Sequence, residues 1–352
     1  MNWIPYLVVV AVAAWLMSVL PPTARKIGLI DYPNIRKRHE LEVPLLGGTA
    51  ITLAVVVGAL LLESSVGQYR FMFLSMLLIA IIGLLDDIRE LTPRARLVGQ
   101  IVAASLIVFV DQKVIHSLGE ILFVAQPYSL GILASLFSIV AIVGVINAFN
   151  MIDGHDGLAG LCGALSLTAA VTFSAINGDL EAARVMALFL VGVLTFLVFN
   201  LSFLIGRNRQ IFLGDSGSML IGLVLAYFLI DLSQSGNDSL RTTAAPWIIG
   251  LPLLDMVSVI TLRVLGRRSP LAADRLHIHH LLVDFGLKKY PVLVILICVQ
   301  VVFTGIGVFG TLFEWQDGIL FWSMFLVLGM YLGLNRTLKR AIQCRSVMSG
   351  EN

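Results

Sequence analysis

The sequence is short of charge. Asp, Glu, Lys and Arg make up 13% of its 352 residues, about half the share of an ordinary soluble domain. That shortage excludes a water-soluble globule, because too little polar surface is left to cover one. Cysteine is scarce too: Cys162, Cys298 and Cys344 are odd in number and far apart. Two lie in apolar runs and one in a basic tail, so neither a disulfide framework nor a cysteine metal site is expected. No loop is long enough for a separate soluble domain, and no internal repeat is visible. Basic residues are scattered over short loops, which excludes a nucleic-acid partner. No positive stretch precedes the apolar residues 3–20, while Arg25 and Lys26 follow them. A cleaved signal has the opposite polarity, so this segment reads as a retained first helix.

What the chain does have is apolar length. Hydrophobic residues make up 58% of it, and the mean hydropathy is +0.93. Eleven apolar stretches stand at about 3–21, 45–63, 71–85, 97–110, 129–148, 157–176, 185–205, 216–232, 244–265, 290–310 and 318–335. Several fall below the roughly 20 residues that a span needs, and the third and fourth are the shortest. Alternate loops test the count. Placing 22–44, 86–96, 149–156, 206–215, 266–289 and the tail on one side gathers 19 of the 24 Lys and Arg there, against Arg70, Lys113, Arg184 and Arg241 on the other. Such a bias marks the first set as cytoplasmic. The expected fold is therefore an all-α polytopic membrane protein of 10–11 transmembrane helices. It forms a single domain over 1–352, with the N-terminus periplasmic, the C-terminus cytoplasmic and the active site on cytoplasmic loops.

Five polar clusters fall on that side, each with a plain reading and a functional one. Asp86 and Asp87 end an apolar helix, where the macrodipole disfavours acids. Either solvent relieves them, or a divalent cation or Arg89, Arg94 and Arg96 do. Asn147 to Gly157 (NAFNMIDGHDG) could be a turn, yet its two Asn and two Asp at a membrane boundary need partners that a substrate can supply. Asp215, in Phe212-Leu213-Gly214-Asp215-Ser216, suits an N-cap for a helix starting at Ser216, and equally a phosphate or Mg²⁺–phosphate. Asp274-Arg275-Leu276-His277-Ile278-His279-His280 lacks the Cys or second His pair of a closed zinc site, leaving phosphate contact or a solvated loop. Asp31 to His39, with Arg36, Lys37 and Arg38, reads as a juxtamembrane basic run, which does not explain why Gly47-Gly48 opens the next helix. Together the five describe an anionic substrate and a metal at the membrane surface.

As an ordered set, from about residue 20 to 282, these motifs resemble the polyprenyl-phosphate N-acetylhexosamine-1-phosphate transferase family, and within it the branch that uses N-acetylglucosamine. One departure is His155, at a position usually apolar in the family. The resemblance implies that UDP-N-acetylglucosamine and undecaprenyl phosphate give undecaprenyl-pyrophosphoryl-N-acetylglucosamine and UMP, with Mg²⁺ (or Mn²⁺ in its place), at the start of O-antigen or related polysaccharide synthesis. It implies a multi-pass protein of the bacterial inner membrane, in contact with membrane lipid and compatible with a homodimer. It assigns Asp215 to the metal and Asp86 or Asp87 to the lipid phosphate. Asn150, Asp153 and Asp156 go to the nucleotide and pyrophosphate, Phe212 to uracil and Asn200 to the metal's vicinity. His277, His279, His280, Arg263 and Arg275 go to the phosphates. Two rivals remain: the same reaction with another UDP-N-acetylhexosamine, and a secondary transporter. Transporters keep ionisable groups near the midplane, whereas the acids here are expected at helix ends and loops on one side.

Overall fold

The structure, a computed structural model, describes residues 2–32, 42–62, 65–201, 206, 210–234, 239–270 and 274–349. Residues 33–39 of the expected basic motif lie outside them.

Each of the eleven apolar stretches becomes helix, but not equally. Helix α1 (Ile4–Val19) enters α2 (Pro21–Ile27) through a 55° bend. Pro21 and Pro22 lack the N–H groups that would continue the ladder, so they open a new first turn. Next come α3 (Gly47–Ala59), the short α4 (Ser65–Gln68), α5 (Arg70–Arg89) and α6 (Pro93–Ser105), which ends in a π-helical turn at Leu106–Val110. α7 (Ala134–Ile152), α8 (Leu158–Ile176), α9 (Leu180–Asn200) and α10 (Gly214–Gln234) follow. The stretch at 244–265 is broken into α11 (Ala245–Ile248) and α12 (Gly250–Leu265), and α13 (Ile278–Asp284), α14 (Lys289–Leu312) and α15 (Asp317–Ser349) complete the chain.

Among the described residues eight helices are long and apolar enough to cross a membrane, or nine with α1–α2 as one span. The all-α polytopic architecture is as expected, and eight or nine of the expected 10–11 spans meet this length and composition. α3 has 13 residues and α12 has 16, short of the roughly 20 that span a hydrocarbon core. The break before α12 is closed by side chains. Gln300 accepts from the Leu251 N–H (3.0 Å) and donates to the Ile248 carbonyl (2.7 Å), which also accepts from Ser166 (2.8 Å) and Thr304 (3.2 Å). Backbone freed within an apolar medium must find such partners inside the protein.

α10 is the axis of the molecule. Every residue from Ser216 to Ser233 is buried, and α3, α5, α7 and α8 pack around it. Apolar on all faces between its two polar ends, it has no side to offer solvent there. Short backbone ties fix its entry. Strands β1 (Ile30–Asp31) and β2 (Val43–Pro44) pair antiparallel. Phe212 N–H then donates to Pro44 (2.9 Å), while Gly47 and Gly48 N–H donate to Phe212 and Leu213 (3.0 and 2.8 Å).

The acids do not all lie at one end. Asp215 opens α10 and Asp231 sits in its last turn, about 24 Å along the axis at 1.5 Å per residue. Asp231 pairs with Lys113, and Asp317, at the start of α15, pairs with Arg241. The one-sided distribution expected from the sequence is therefore corrected: a second polar cluster exists, and its members are neutralised in pairs.

Candidate active site

Close backbone approach builds the site. Gly48 of α3 faces Gly217, and Gly83 of α5 faces Ser216, each without room for a Cβ. The start of α10 is thereby pressed between two helices, within reach of the end of α5. Asp87 Oδ1 accepts from the Asp215 N–H at 2.7 Å and Oδ2 from the Ser216 N–H at 3.2 Å. The N-cap of α10 thus comes from another helix, which corrects the capping reading of Asp215. The physical reason is Gly214: its φ of +74° turns the chain one residue early, and a Cβ there would stand 2.7 Å from Asp87 Oδ2. Asp215 falls in the first helical turn with its carboxylate released from capping.

Two side chains aim that carboxylate. Asn150, on the last turn of α7, donates to Asp215 Oδ1 (2.6 Å) and to Ser218 Oγ (3.1 Å). Arg96 Nη1 stands 2.8 Å from Asp86 Oδ2 and 3.6 Å from Asp215 Oδ2. The second oxygen of Asp86 accepts from the Leu91 N–H (2.7 Å). Arg96 is delivered by the start of α6, where Pro93 occupies the first turn and Thr92 caps the Ala95 N–H at 3.3 Å. Asp153 follows α7 directly. Burial first, then the charges of Asp215, Asp87 and Asp156, raise its carboxyl well above the usual carboxylate range. Among the described residues, four carboxylates are gathered here and Arg96 is the cation paired with them.

Beside this cluster stand the histidines. His279 on α13 is 2% exposed and lies against Gly154, which has no space for a Cβ beneath it. Neither of its ring nitrogens has a hydrogen-bond partner. Its ring centroid is 5.7 Å from His277 and 4.2 Å from His280. Burial, then His280 and His277, hold its imidazole well below the ordinary value, and burial with Arg275 pushes His280 down to about 4. Both rings are thus neutral at physiological pH, each with one donor and one acceptor.

The remaining expected residues are placed differently. His277 turns inward: its Nδ1 is 2.7 Å from Asp255, which also accepts from Ile278 N–H and Tyr331 hydroxyl, each at 3.0 Å. Arg263 donates from all three nitrogens, to both oxygens of Asp274 (2.9 and 3.0 Å) and to Pro270 (2.7 Å). Arg275 makes a two-bond pair with Asp284 (3.2 and 2.9 Å). These three tie Asp274, Asp284 and Asp255 to the elements around them. Asn200 Nδ2 donates to Ile211 (2.8 Å) and its carbonyl accepts from Gln210 (2.8 Å), while its Oδ1 is buried without a partner. Phe212 is half-buried at a parallel bridge to Leu45. Asp156 is half-buried in the 153–157 loop, and His155 spans that loop and α14, 3.2 Å from the Asp156 carbonyl and 3.0 Å from that of Lys289. Sequence reasoning missed Gly83 and Asp255. Their signals were a glycine inside an apolar helix one turn before two acids, and an acid in the middle of an apolar run.

No three His, Cys, Asp or Glu side chains converge into a closed protein cage among the described residues. The arrangement instead suits a cation shared with an anionic ligand. Residues 69–233, which carry the whole acidic cluster, match the model of glycosyl transferase family 4. Over 325 residues the chain is 34% identical to the undecaprenyl-phosphate alpha-N-acetylglucosaminyl 1-phosphate transferase of Haemophilus influenzae, covering 90% of this chain and 89% of that one. The enzyme of the same name from Pasteurella multocida is 34% identical over 92% of this chain and 91% of its own. That of Escherichia coli K12 is 30% identical over 87% and 84%. The chain belongs to glycosyl transferase family 4. The family match runs from α5 to α10, so it contains Asp86, Asp87, Asn150, Asp153, Asp156, Asn200, Phe212 and Asp215, and it stops before the histidines of α13.

Proposed function

We propose that this family 4 transferase moves N-acetylglucosamine 1-phosphate from UDP-N-acetylglucosamine to undecaprenyl phosphate, releasing UMP, at the cytoplasmic face of a bacterial inner membrane. The observation that carries the reading is the acidic cluster around Asp215, paired among the described residues with Arg96 alone, in a chain with relatives of that name over about nine-tenths of its length. The sidedness rests on the bias of Lys and Arg toward the loops that bear the cluster.

Mg²⁺ fits the residues present. Asp87 and Asp86 have each oxygen engaged by protein donors, which leaves Asp215 Oδ2, Asp153 and Asp156 as the hard oxygen donors. Burial, and then the charges of Asp215, Asp87 and Asp156, raise the pKa of Asp153. Mg²⁺ prefers one or two carboxylates plus phosphate oxygens and keeps its waters, so a protein cage is not required. When bound, the ion would neutralise charge on the pyrophosphate. The protein's own contribution is positional. Asp87 fixes the start of α10, Asn150 orients Asp215, and Arg96 holds Asp86 beside it. His279 presents two unpartnered nitrogens as a neutral donor and acceptor for phosphate or sugar oxygens.

The lipid phosphate has a second pKa near 6–7 by analogy with phosphoserine, so it is largely dianionic at neutral pH. Its oxygen attacks the β-phosphorus of the UDP-sugar. One O–P bond forms there, and the bond from the β-phosphorus to the bridging oxygen breaks. UMP leaves with that oxygen and its electron pair. Two anions meet in this step, so charge neutralisation and in-line placement are the main requirements.

The test is purified full-length chain with undecaprenyl phosphate, Mg²⁺ and a mixture of UDP-N-acetylhexosamines, read by mass spectrometry. The expected product is lipid-pyrophosphoryl-N-acetylglucosamine with one equivalent of UMP. Consumption of a different sugar nucleotide reassigns the sugar, and no lipid product at all overturns the reading. Single displacement also requires that labelled UMP not exchange into UDP-N-acetylglucosamine when lipid is absent.

A further inference from the structure

A second feature lies at the same end of the molecule and takes no part in the acidic cluster. The C-terminal ends of α12 and α15 diverge around a cleft of about 350 Å³, lined by Leu262, Leu265 and Gly266 on one side and Arg336, Lys339, Arg340 and Gln343 on the other. α15 is long enough to explain its position. It runs 33 residues, about 50 Å at 1.5 Å per residue, so its last turns project beyond a hydrocarbon core of about 30 Å. Its apolar part stays with the bundle through buried polar pins. Tyr331 donates to Asp255 (3.0 Å) and Asn335 to Ser258 (2.9 Å). One residue past the last pin, the helix turns basic.

The cleft has the two characters of a lipid's polar end. Leu265 is 62% exposed, an apolar surface beside the basic residues of α15. Arg336, Lys339 and Arg340 are spaced three and four apart, hence on one face. They are exposed, and no acidic side chain pairs with them among the described residues. Nearby acids are already engaged: Asp274 by Arg263 and Asp284 by Arg275. Three cations above an apolar floor complement a phosphodiester headgroup attached to acyl chains.

We infer that the cleft between Leu262–Gly266 and Arg336–Gln343 is a binding site for an anionic membrane phospholipid, of the phosphatidylglycerol type. The site also touches the machinery described above. Its wall at Leu262 and Leu265 flanks Arg263, which fixes Asp274, and Asp255 on the same helix fixes His277. A lipid seated there braces α12 against α15 and so steadies the segment that carries His279.

The experiment is native mass spectrometry of the full chain released from nanodiscs holding phosphatidylglycerol and phosphatidylcholine in equal amounts. One phosphatidylglycerol should be retained per chain in preference to phosphatidylcholine. The double variant Arg336→Gln/Arg340→Gln should lose that retention about tenfold, as two phosphate contacts are removed. Leu265→Trp, which keeps every charge and fills the cleft, should lose it as well. Arg25→Gln/Lys26→Gln removes the same charge from the exposed end of α2 and should leave retention unchanged. Equal loss in that control would show bulk attraction to the surface and overturn the proposal. Unchanged retention in Arg336→Gln/Arg340→Gln or in Leu265→Trp would overturn it too. So would displacement of the bound lipid by one equivalent of undecaprenyl phosphate, which would make the cleft an acceptor's port.

Discussion

The two ends of α10 carry similar residues and do opposite things. At its far end Asp231 meets Lys113 and Asp111 accepts from Tyr227 at 2.7 Å. Asp317 there accepts from Thr243 (2.6 Å) and the Glu120 N–H (3.0 Å), with Arg241 at 3.4 Å. Each acid has a complement, so the cluster closes on itself. Among the described residues, four carboxylates at the near end share one arginine, and His279 and Asn200 keep buried polar atoms with no partner. Buried polar groups in a native fold are satisfied as a rule. A closed cluster therefore reads as part of the scaffold, and an open one as a place where a ligand supplies what the protein withholds. Polarity at a membrane boundary is a weak guide to function until it is divided in this way.

The strongest break in the comparison comes from matched substitutions. Asp215→Asn should lower turnover on the order of a thousandfold, the scale of removing an electrostatic stabiliser, with the thermal unfolding midpoint in detergent almost unchanged. Asp231→Asn should do the reverse. Leaving Lys113 without its partner costs about 3 kcal/mol, the low end for breaking a buried pair given the partial exposure of Lys113, while turnover per folded molecule persists. Activity and unfolding measured on both variants decide the matter; equal effects on the two quantities would erase the distinction.

Next in size is Gly48→Ala. Its Cβ meets the Gly217 backbone, so α3 and α10 must separate, at a cost of about 1–3 kcal/mol, and the Asp87 cap on α10 should loosen with it. Gly192→Ala, whose nearest neighbour is a side-chain methyl at 3.3 Å, should be nearly silent in both unfolding and turnover.

The histidines give a pH signature at the open end. His279 and His280 have folded pKa values below the unfolded 6.5, so between the two values the unfolded chain binds more protons. Stability is then fully present above pH 6.5 and falls as pH drops below it, through about 4 for His280. His280→Gln removes that titration, and its unfolding midpoint should fall less between pH 7 and pH 5 than that of the parent. A parallel fall would assign the acid sensitivity elsewhere.

The smallest effect concerns His155. His155→Leu removes one bond between the acidic loop and α14, worth about 0.5–1.5 kcal/mol. KM for the UDP-sugar should rise about twofold to tenfold at similar kcat. His155→Asn, able to donate to the Lys289 carbonyl, should recover most of it, and a loss confined to kcat would contradict this placement.

Composition alone determined the solvent of this protein, because 13% charge cannot cover a globule in water. The eleven apolar stretches all became helix, since a 3.6-residue period and length are local properties. The ordered motifs placed Asp86, Asp87, Asn150, Asp153 and Asp215 in one family before any of them was brought together. Tertiary structure decided what each side chain does. Asp87 caps a helix that begins 127 positions later, and Arg263 and His277, which look like phosphate ligands in sequence, are already held by Asp274 and Asp255. The reason is the same throughout. A residue's type fixes what it can bond, but whether a carboxylate is already satisfied depends on partners that only the folded chain brings within 3 Å.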